Sequence, residues 1–426
     1  MNGLVRSIVA IDIATSKITV VVANIYSSTQ IEVLGQSSVP NNGIEKGRIT
    51  DLNALTASLK DAVVQAQASS KSDFHSVWIS IPSAELKMDL HTDVFEKKDH
   101  SPITKHHLDK LVEQAKKSFS STLAEGYRVV NIITVGYLLN DDDIIVERPI
   151  GMAAQKIKGV YQILSLPENL FKNIQVAIQN VNPKLKVENI IISDLATAET
   201  NLLTDEKRYG VCMVDIGASN TTISIYNKGF LHDIYRIPLG GEMVTADIAT
   251  HYKTTREEAE RLKIEHGHLN IEEIKFDKMV SFQAIHGKRT ISQADLIEVI
   301  SERYRELADY IWQYLVYNDY LNDIKHGIVF TGEAAHINGL IPLFEQRLNI
   351  DGITMRVNSN PKELEVSYKN ADYKRNETAY LTTVGLIAFS QKDKTTLQLR
   401  TDRLPTTDTW FARLMNWFRE IHKKWL

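Results

Sequence analysis

One eleven-residue pattern occurs twice in this chain, about two hundred residues apart, and it restricts the fold more than any other feature. Ala10-Ile-Asp12-Ile-Ala14-Thr15-Ser16-Lys17-Ile-Thr-Val and Met213-Val-Asp215-Ile-Gly217-Ala218-Ser219-Asn220-Thr-Thr-Ile follow one plan. Each has an apolar strand, an aspartate near its end, a turn of small polar residues and a second strand rich in β-branched residues. A hairpin repeated with its polar corner intact marks a duplicated unit. Two such units facing each other would bring both turns to a shared cleft.

Around the repeats, β-branched runs alternate with amphipathic stretches, as in an α/β fold. Residues 1–81 begin the first lobe, with strands predicted at 8–13, 18–25, 31–36 and 76–81. A helix at 51–68 carries Leu52, Leu55, Leu59 and Val63 at helical spacing. Residues 82–159 read as an insertion, in which charge-rich HTDVFEKKDHSPI leads to a helix at 105–118 and two strands, VVNIITVGYLL and DIIVERPI. The first lobe returns at 160–205. The second lobe spans 206–389, with a subdomain inserted at about 245–325 and a closing helix at 378–389. The inserted part includes a long helix at 292–320, where the spacing of Tyr310, Tyr314 and Tyr317 predicts core packing. Residues 390–409, rich in Thr, Lys, Asp and Gln and containing Pro405, read as a flexible linker.

An aspartate that ends a strand before a tight turn can hold Mg2+ through its water ligands, while turn N–H groups and hydroxyls receive phosphate oxygens. Asp12 and Asp215 occupy that place. Ala14, Thr15, Ser16 and Lys17 form the first candidate loop, and Gly217, Ala218, Ser219 and Asn220 the second. A third turn, Thr331-Gly332-Glu333-Ala334, follows another strand, and Gly332 there would let the backbone approach a nucleoside. Glu260 and Lys263, three apart on a helix, suit either a ribose contact or a surface ion pair. One aspartate before a turn is often only a turn former, so the weight lies on three turns in order.

That order resembles the actin, Hsp70 and sugar kinase superfamily. VAIDIATSKITV, IIISDLATAETNLL, VCMVDIGASNTTI, GIVFTGEAAHINGL and AYLTTVGLIAF stand where its phosphate, connecting and adenosine segments stand. Within it, IDIATSKITVVVANI, the ITVGYL stretch at 133–138, AERLKIEHG and LIEVISERYREL make the chain similar to the FtsA family of bacterial cell-division proteins over essentially its full length. The resemblance implies an actin-like two-lobed fold whose inserted 1C subdomain replaces actin's 1B on the other side of the molecule. It implies binding of ATP with Mg2+, head-to-tail self-assembly, and tethering of the FtsZ ring to the inner face of the cytoplasmic membrane at the division site. Recruitment of later division proteins, through the 1C subdomain, is also implied. On the same pattern Arg303, Tyr304 and Glu306 carry over as contacts for the FtsZ C-terminal peptide.

The chain departs from the family pattern at Ala14, usually glycine, at Ala218-Ser219, and at Glu333, which replaces a second glycine. A carboxylate beside a polyanion is repulsive unless it turns outward or meets a cation. No residue stands out for placing an attacking water, so slow or absent hydrolysis is expected. Two alternatives stay open: a small-molecule kinase or ATPase of this fold, and a nucleotide-independent membrane scaffold.

The last 17 residues differ in kind. At about 100° per residue, Trp410, Phe411, Leu414, Trp417, Phe418, Ile421 and Trp425 share one arc, while Arg413, Arg419, Lys423 and Lys424 face away with Glu420. Apolar and indole groups below a basic face, here of net charge +3, are what a helix lying in an anionic membrane surface requires. A partner's groove is the alternative occupant.

Composition narrows the remaining choices. Lys plus Arg number 49 against 53 Asp plus Glu, and without a basic block a nucleic-acid binder is not expected. Cys212 is the only cysteine, which excludes an intramolecular disulfide and a cysteine metal site. His266 with His268 and His106 with His107 lack metal-ligand spacing.

Overall fold

The computed structural model describes residues 6–392, apart from Ser83, Asp141, Asp143, Lys275, Phe276, Arg375 and Asn376. The amphipathic segment at 410–426 and nearly all of the predicted linker lie outside the described residues. The chain divides into two units, one running to Leu86 and resuming at Leu166, the other spanning Lys87–Ser165.

The larger unit opens with an antiparallel meander, β1 (Arg6–Ile13), β2 (Lys17–Ile25) and β3 (Gln30–Pro40). Helix α1 (Leu52–Ser70) is started by Asp51, whose carboxylate accepts the N–H groups of Asn53 and Ala54 at 2.8 and 2.9 Å. Strand β4 (Ser76–Ile81) then runs parallel to β1.

The smaller unit comprises β5 (Lys87–Glu96), α2 (Lys105–Thr122), β6 (Tyr127–Leu139) and most of β7 (Lys156–Pro167), with strand order β5-β7-β6. Leu108, Leu111, Ala115 and Phe119 of α2 pack with Tyr137, Tyr161 and Ile163 of the sheet. Of the charge-rich leader, His91–Glu96 belong to β5, whose inner residues are all half-buried. One expectation changes here. DIIVERPI contributes, among the described residues, only a single bridge between Val146 and Tyr137, because Pro149 cannot extend a ladder.

The larger unit resumes with α3 (Glu168–Val181), β8 (Lys186–Ile192), parallel to β4, and α4 (Ser193–Asn201). A second meander follows in β9 (Val211–Ile216), β10 (Thr221–Asn227) and β11 (Phe230–Ile237). Next come α5 (Gly241–Tyr252), α6 (Arg256–His266), the hairpin β12 (Met279–Ala284) and β13 (Gly287–Ser292), and α7 (Gln293–Tyr317). Strands β14 (Ile328–Thr331) and β15 (Met355–Val357), parallel to each other, flank α8 (Leu340–Leu348). Of the three tyrosines expected in the core on α7, only Tyr314 is buried; Tyr310 and Tyr317 are exposed.

The two large sheets repeat one topology. Strand orders β3-β2-β1-β4-β8 and β11-β10-β9-β14-β15 each place two parallel strands beside a three-stranded meander. The final segments, β16 (Glu365–Tyr368) and α9 (Leu381–Phe389), return to the first sheet: β16 pairs with β3, and Val384, Leu386 and Ile387 share a core with Ala10, Val21 and Ile191. The closing helix, expected with the second lobe, therefore packs on the first. Gly385 makes this possible, since a Cβ there would run into the Ala196 carbonyl. The second sheet has its own core, in which Val214 and Ile223 meet Leu262, Ile300 and Phe330. Among the described residues no helix is long and apolar enough to cross a membrane.

Candidate functional site

The repeated sequence pattern becomes repeated geometry at the ends of β1 and β9. Asp12 faces Thr19 across its ladder and Asp215 faces Thr222. The Ala14 N–H donates to the Lys17 carbonyl at 3.0 Å, and the Gly217 N–H to the Asn220 carbonyl at 3.0 Å. On the parallel side Asp12 lies opposite Ser80 and Asp215 opposite Thr331. Both turns, both aspartates, Gly332 and Glu333 line one cavity of about 170 Å3.

Different parts of the fold hold the turns. The Asn41 side chain donates to the Ala14 carbonyl at 2.7 Å and its N–H to the Ser16 carbonyl at 2.9 Å. The second turn is held by the start of α5, where the N–H groups of Gly241 and Glu242 donate to the carbonyls of Gly217 and Ala218 at 3.0 and 2.8 Å. Gly332, at φ +88°, has a conformation suited to glycine, and a Cβ there would meet the Asp215 carboxylate and the Ile216 carbonyl.

Four carboxylates, Asp12, Asp194, Asp215 and Glu333, line this cavity with two cations, Lys17 and Arg236. Asp12 accepts hydrogen bonds from Ser80 Oγ at 2.7 Å and Ser193 Oγ at 3.0 Å, but burial still raises its pKa. Asp215 is pushed up to about 7, chiefly by burial and then by Asp194 and Asp12, against the pull of Arg236 and Lys17. Asp194 pairs with Arg236 Nη2 at 3.1 Å. Lys17 forms an ion pair with Glu333, whose side chain is 61% exposed. Glu333 thus both turns outward and meets a cation.

This chemistry fits a polyphosphate accompanied by a divalent cation. The acids outnumber the cations, burial resists their ionisation, and the glycine turns leave backbone accessible. Among the described residues no group of three His, Cys, Asp or Glu is placed to hold a metal ion directly.

Several expected residues lie elsewhere. Glu260 and Lys263 do not line the cavity; Lys263 Nζ donates to the Gly241 carbonyl at 3.0 Å, Thr245 Oγ1 at 2.9 Å and Glu260 at 2.7 Å. Arg303 forms a fork on α7, bonding Asp247 at 2.8 and 3.0 Å and Glu306 at 2.6 Å. Tyr304 is buried, its hydroxyl donating to the Ala334 carbonyl at 2.7 Å. It is a core tie to the third turn and presents no surface to a peptide, because a helix turns residue 304 about 100° away from 303. The expected membrane residues, from Trp410 to Trp425, lie outside the described residues.

Sequence reasoning missed Ser80, Ser193, Asp194 and Arg236. Ser80 sits at the end of β4, and Ser193 and Asp194 open α4 directly after β8, a signal open to inspection once strand order is known. Arg236 carries none, for it reaches the cavity from β11 only through ladder register.

A family model described as "Cell division protein FtsA" matches residues 212–385. The FtsA proteins of Escherichia coli strain K12 and Pseudomonas aeruginosa are each 26% identical, over 436 and 389 residues. These alignments cover 97% and 90% of this chain and 98% and 89% of those proteins. This chain is similar to the FtsA cell-division proteins over nearly its whole length. Its fold is shared more widely. It is similar to the structure titled PilM-PilN type IV pilus biogenesis complex, at TM-score 0.64 and 12% identity over 90% of this chain and 98% of that one. It is also similar to MreB5 of Spiroplasma citri bound to ADP, at TM-score 0.53 and 12% identity over 91% and 96%. The architecture is therefore the actin-like, two-lobed fold.

Proposed function

We propose that this chain is an ATP-binding adaptor that tethers the FtsZ ring to the inner face of the cytoplasmic membrane, assembles with copies of itself, and helps recruit later division proteins through residues 87–165. The observation that carries this reading is the convergence of two equivalent aspartate turns on one cleft, in a chain 26% identical to an FtsA over 97% of its length. Asp12 and Asp215 would hold Mg2+ through water, with phosphates received by Thr15, Ser16, Lys17 and the turn at 217–220, and the nucleoside approached at Gly332. Bound ATP supplies a polyanion that draws both lobes onto one ligand; hydrolysis is expected to be slow.

Arg303 and Glu306 offer a half-buried charged fork, tied to Asp247, for the FtsZ C-terminal peptide. The segment 410–426, amphipathic in sequence, would supply lipid affinity. One short amphipathic helix binds a membrane weakly and reversibly, whereas a polymer presents many at once, so assembly would control attachment.

Co-sedimentation with anionic vesicles, with and without ATP and magnesium, tests the reading on the full chain and on a chain ending at Thr409. Lipid binding lost on truncation, with ATP-dependent filaments on the vesicles, is expected. An intact chain that ignores lipid would remove the membrane half of the proposal. Binding indifferent to ATP would favour the nucleotide-independent scaffold.

A further inference from the structure

The cavity between the three turns is about 170 Å3, whereas sites that enclose a ligand of nucleotide size begin at about 300 Å3. Two ion pairs join its sides. Lys17, in the turn after β1, meets Glu333, in the turn after β14. Asp194, in the first turn of α4, meets Arg236 at the end of β11. Each pair links an element of the first sheet's half to one of the second's, so neither lobe can draw back without breaking both.

The pairs differ in exposure. Asp194 and Arg236 are 5% and 19% exposed, and Lys17 and Glu333 are 19% and 61% exposed. An exposed pair is held weakly and screened by salt, so the Lys17–Glu333 pair is the one a ligand can break. Lys17 also belongs to the turn that faces the phosphates under the reading above. A phosphate approaching that turn meets a lysine already neutralised and a carboxylate of its own sign.

We propose that Glu333 is an internal competitor for the nucleotide: in the empty protein it holds Lys17 and latches the cleft in its narrow form, and a nucleoside polyphosphate must take Lys17 from it before the cleft widens. This rests on the nucleotide reading of the site. Opening then lowers the apparent affinity by the fraction of molecules in the open form. The family's glycine at this position would provide no latch, so regulation by Glu333 belongs to this chain's own sequence.

The test is titration of MgATP into the full chain, Glu333→Gln, Lys17→Gln and the double variant at low ionic strength. Glu333→Gln should bind roughly 3- to 10-fold tighter, Lys17→Gln weaker, and the double variant no tighter than Lys17→Gln alone. Without nucleotide, Glu333→Gln should also speed amide hydrogen exchange in residues 14–17 and 332–335. Equal affinity of parent and Glu333→Gln would overturn the latch while leaving the nucleotide site standing. A full gain persisting in the Lys17→Gln background would also overturn it, since Glu333 would then act by repulsion alone. Failure of all four chains to bind MgATP at millimolar concentration would sink the site and the latch together.

Discussion

The turns after β1 and β9 share a backbone plan and differ in what surrounds the aspartate. Asp12 is served by two hydroxyls, Ser80 and Ser193, and its turn is anchored by the Asn41 side chain. No described residue donates to Asp215, and its turn is anchored by backbone N–H groups of α5. Where the first copy has Ser80 followed by Ile81, the second has Thr331 followed by Gly332 at φ +88°. The first copy is thus internally satisfied, and the second is left with an acid held near neutrality beside open backbone. A duplicated scaffold has been divided into a half whose aspartate is hydrogen-bonded and a half whose aspartate accepts no bond from the described residues.

The largest expected effect comes from erasing that open backbone. Gly332→Ala forces a side chain into the left-handed region and against Asp215 and Ile216, which should cost about 3 kcal/mol in urea unfolding and abolish measurable nucleotide binding. A variant as stable as the parent would show that the third turn can relax, and the contrast with Ile81 would lose its basis.

Next come the aspartates themselves, whose neutral variants should move stability in opposite directions at pH 8. Asp12→Asn perturbs two buried hydroxyl bonds and should destabilise by about 1–2 kcal/mol. Asp215 has a folded pKa raised to about 7 from 3.8, so its contribution is fully present below 3.8 and lost as pH rises through 7. Asp215→Asn removes that loss and should melt several degrees higher than the parent at pH 8, with the difference vanishing near pH 4. Both variants should abolish the magnesium dependence of nucleotide binding. A lower melting point for Asp215→Asn at pH 8 would mean that the second copy is satisfied after all.

The repeat was legible because strand, aspartate and turn are local, and local pattern is what a sequence displays. Asp12, Asp215, both turns and Gly332 could be named before any tertiary contact was known. Ser80 and Arg236 could not, since each reaches the cavity through pairing with a distant strand. The same limit hid β16, four residues of alternating Glu-Val-Ser-Tyr that matter only because β3 offers a free edge. It also misled at α9, whose position late in the chain suggested the second lobe although its apolar surface belongs to the first. Tyr304 failed for a geometric reason: a motif read as a string places neighbours together, whereas a helix sends 303 and 304 to different faces.

The anchors of the two turns offer a smaller test. Asn41→Ala removes the side-chain bond to the Ala14 carbonyl from a buried position and should cost about 1 kcal/mol. Amide exchange should quicken across residues 14–17 and remain unchanged across 217–220. Exchange that rises equally in both turns would mean that they open as one unit and that their separate anchors are irrelevant.

The smallest effect should come from making the second turn more like the first. Gly217 lacks the left-handed backbone of Gly332, and a Cβ there would stand 3.1 Å from the Asn220 carbonyl, a contact relieved by a few tenths of an ångström. Alanine already occupies the matching position 14 with the same closing hydrogen bond. Gly217→Ala should therefore change stability by less than about 1 kcal/mol and nucleotide affinity by less than about threefold, because reduced freedom of the unfolded chain offsets the tight contact. A larger loss of affinity with stability intact would place the phosphates closer to the second turn than to the first, and the tolerance of Ala14 would then reflect distance from the ligand.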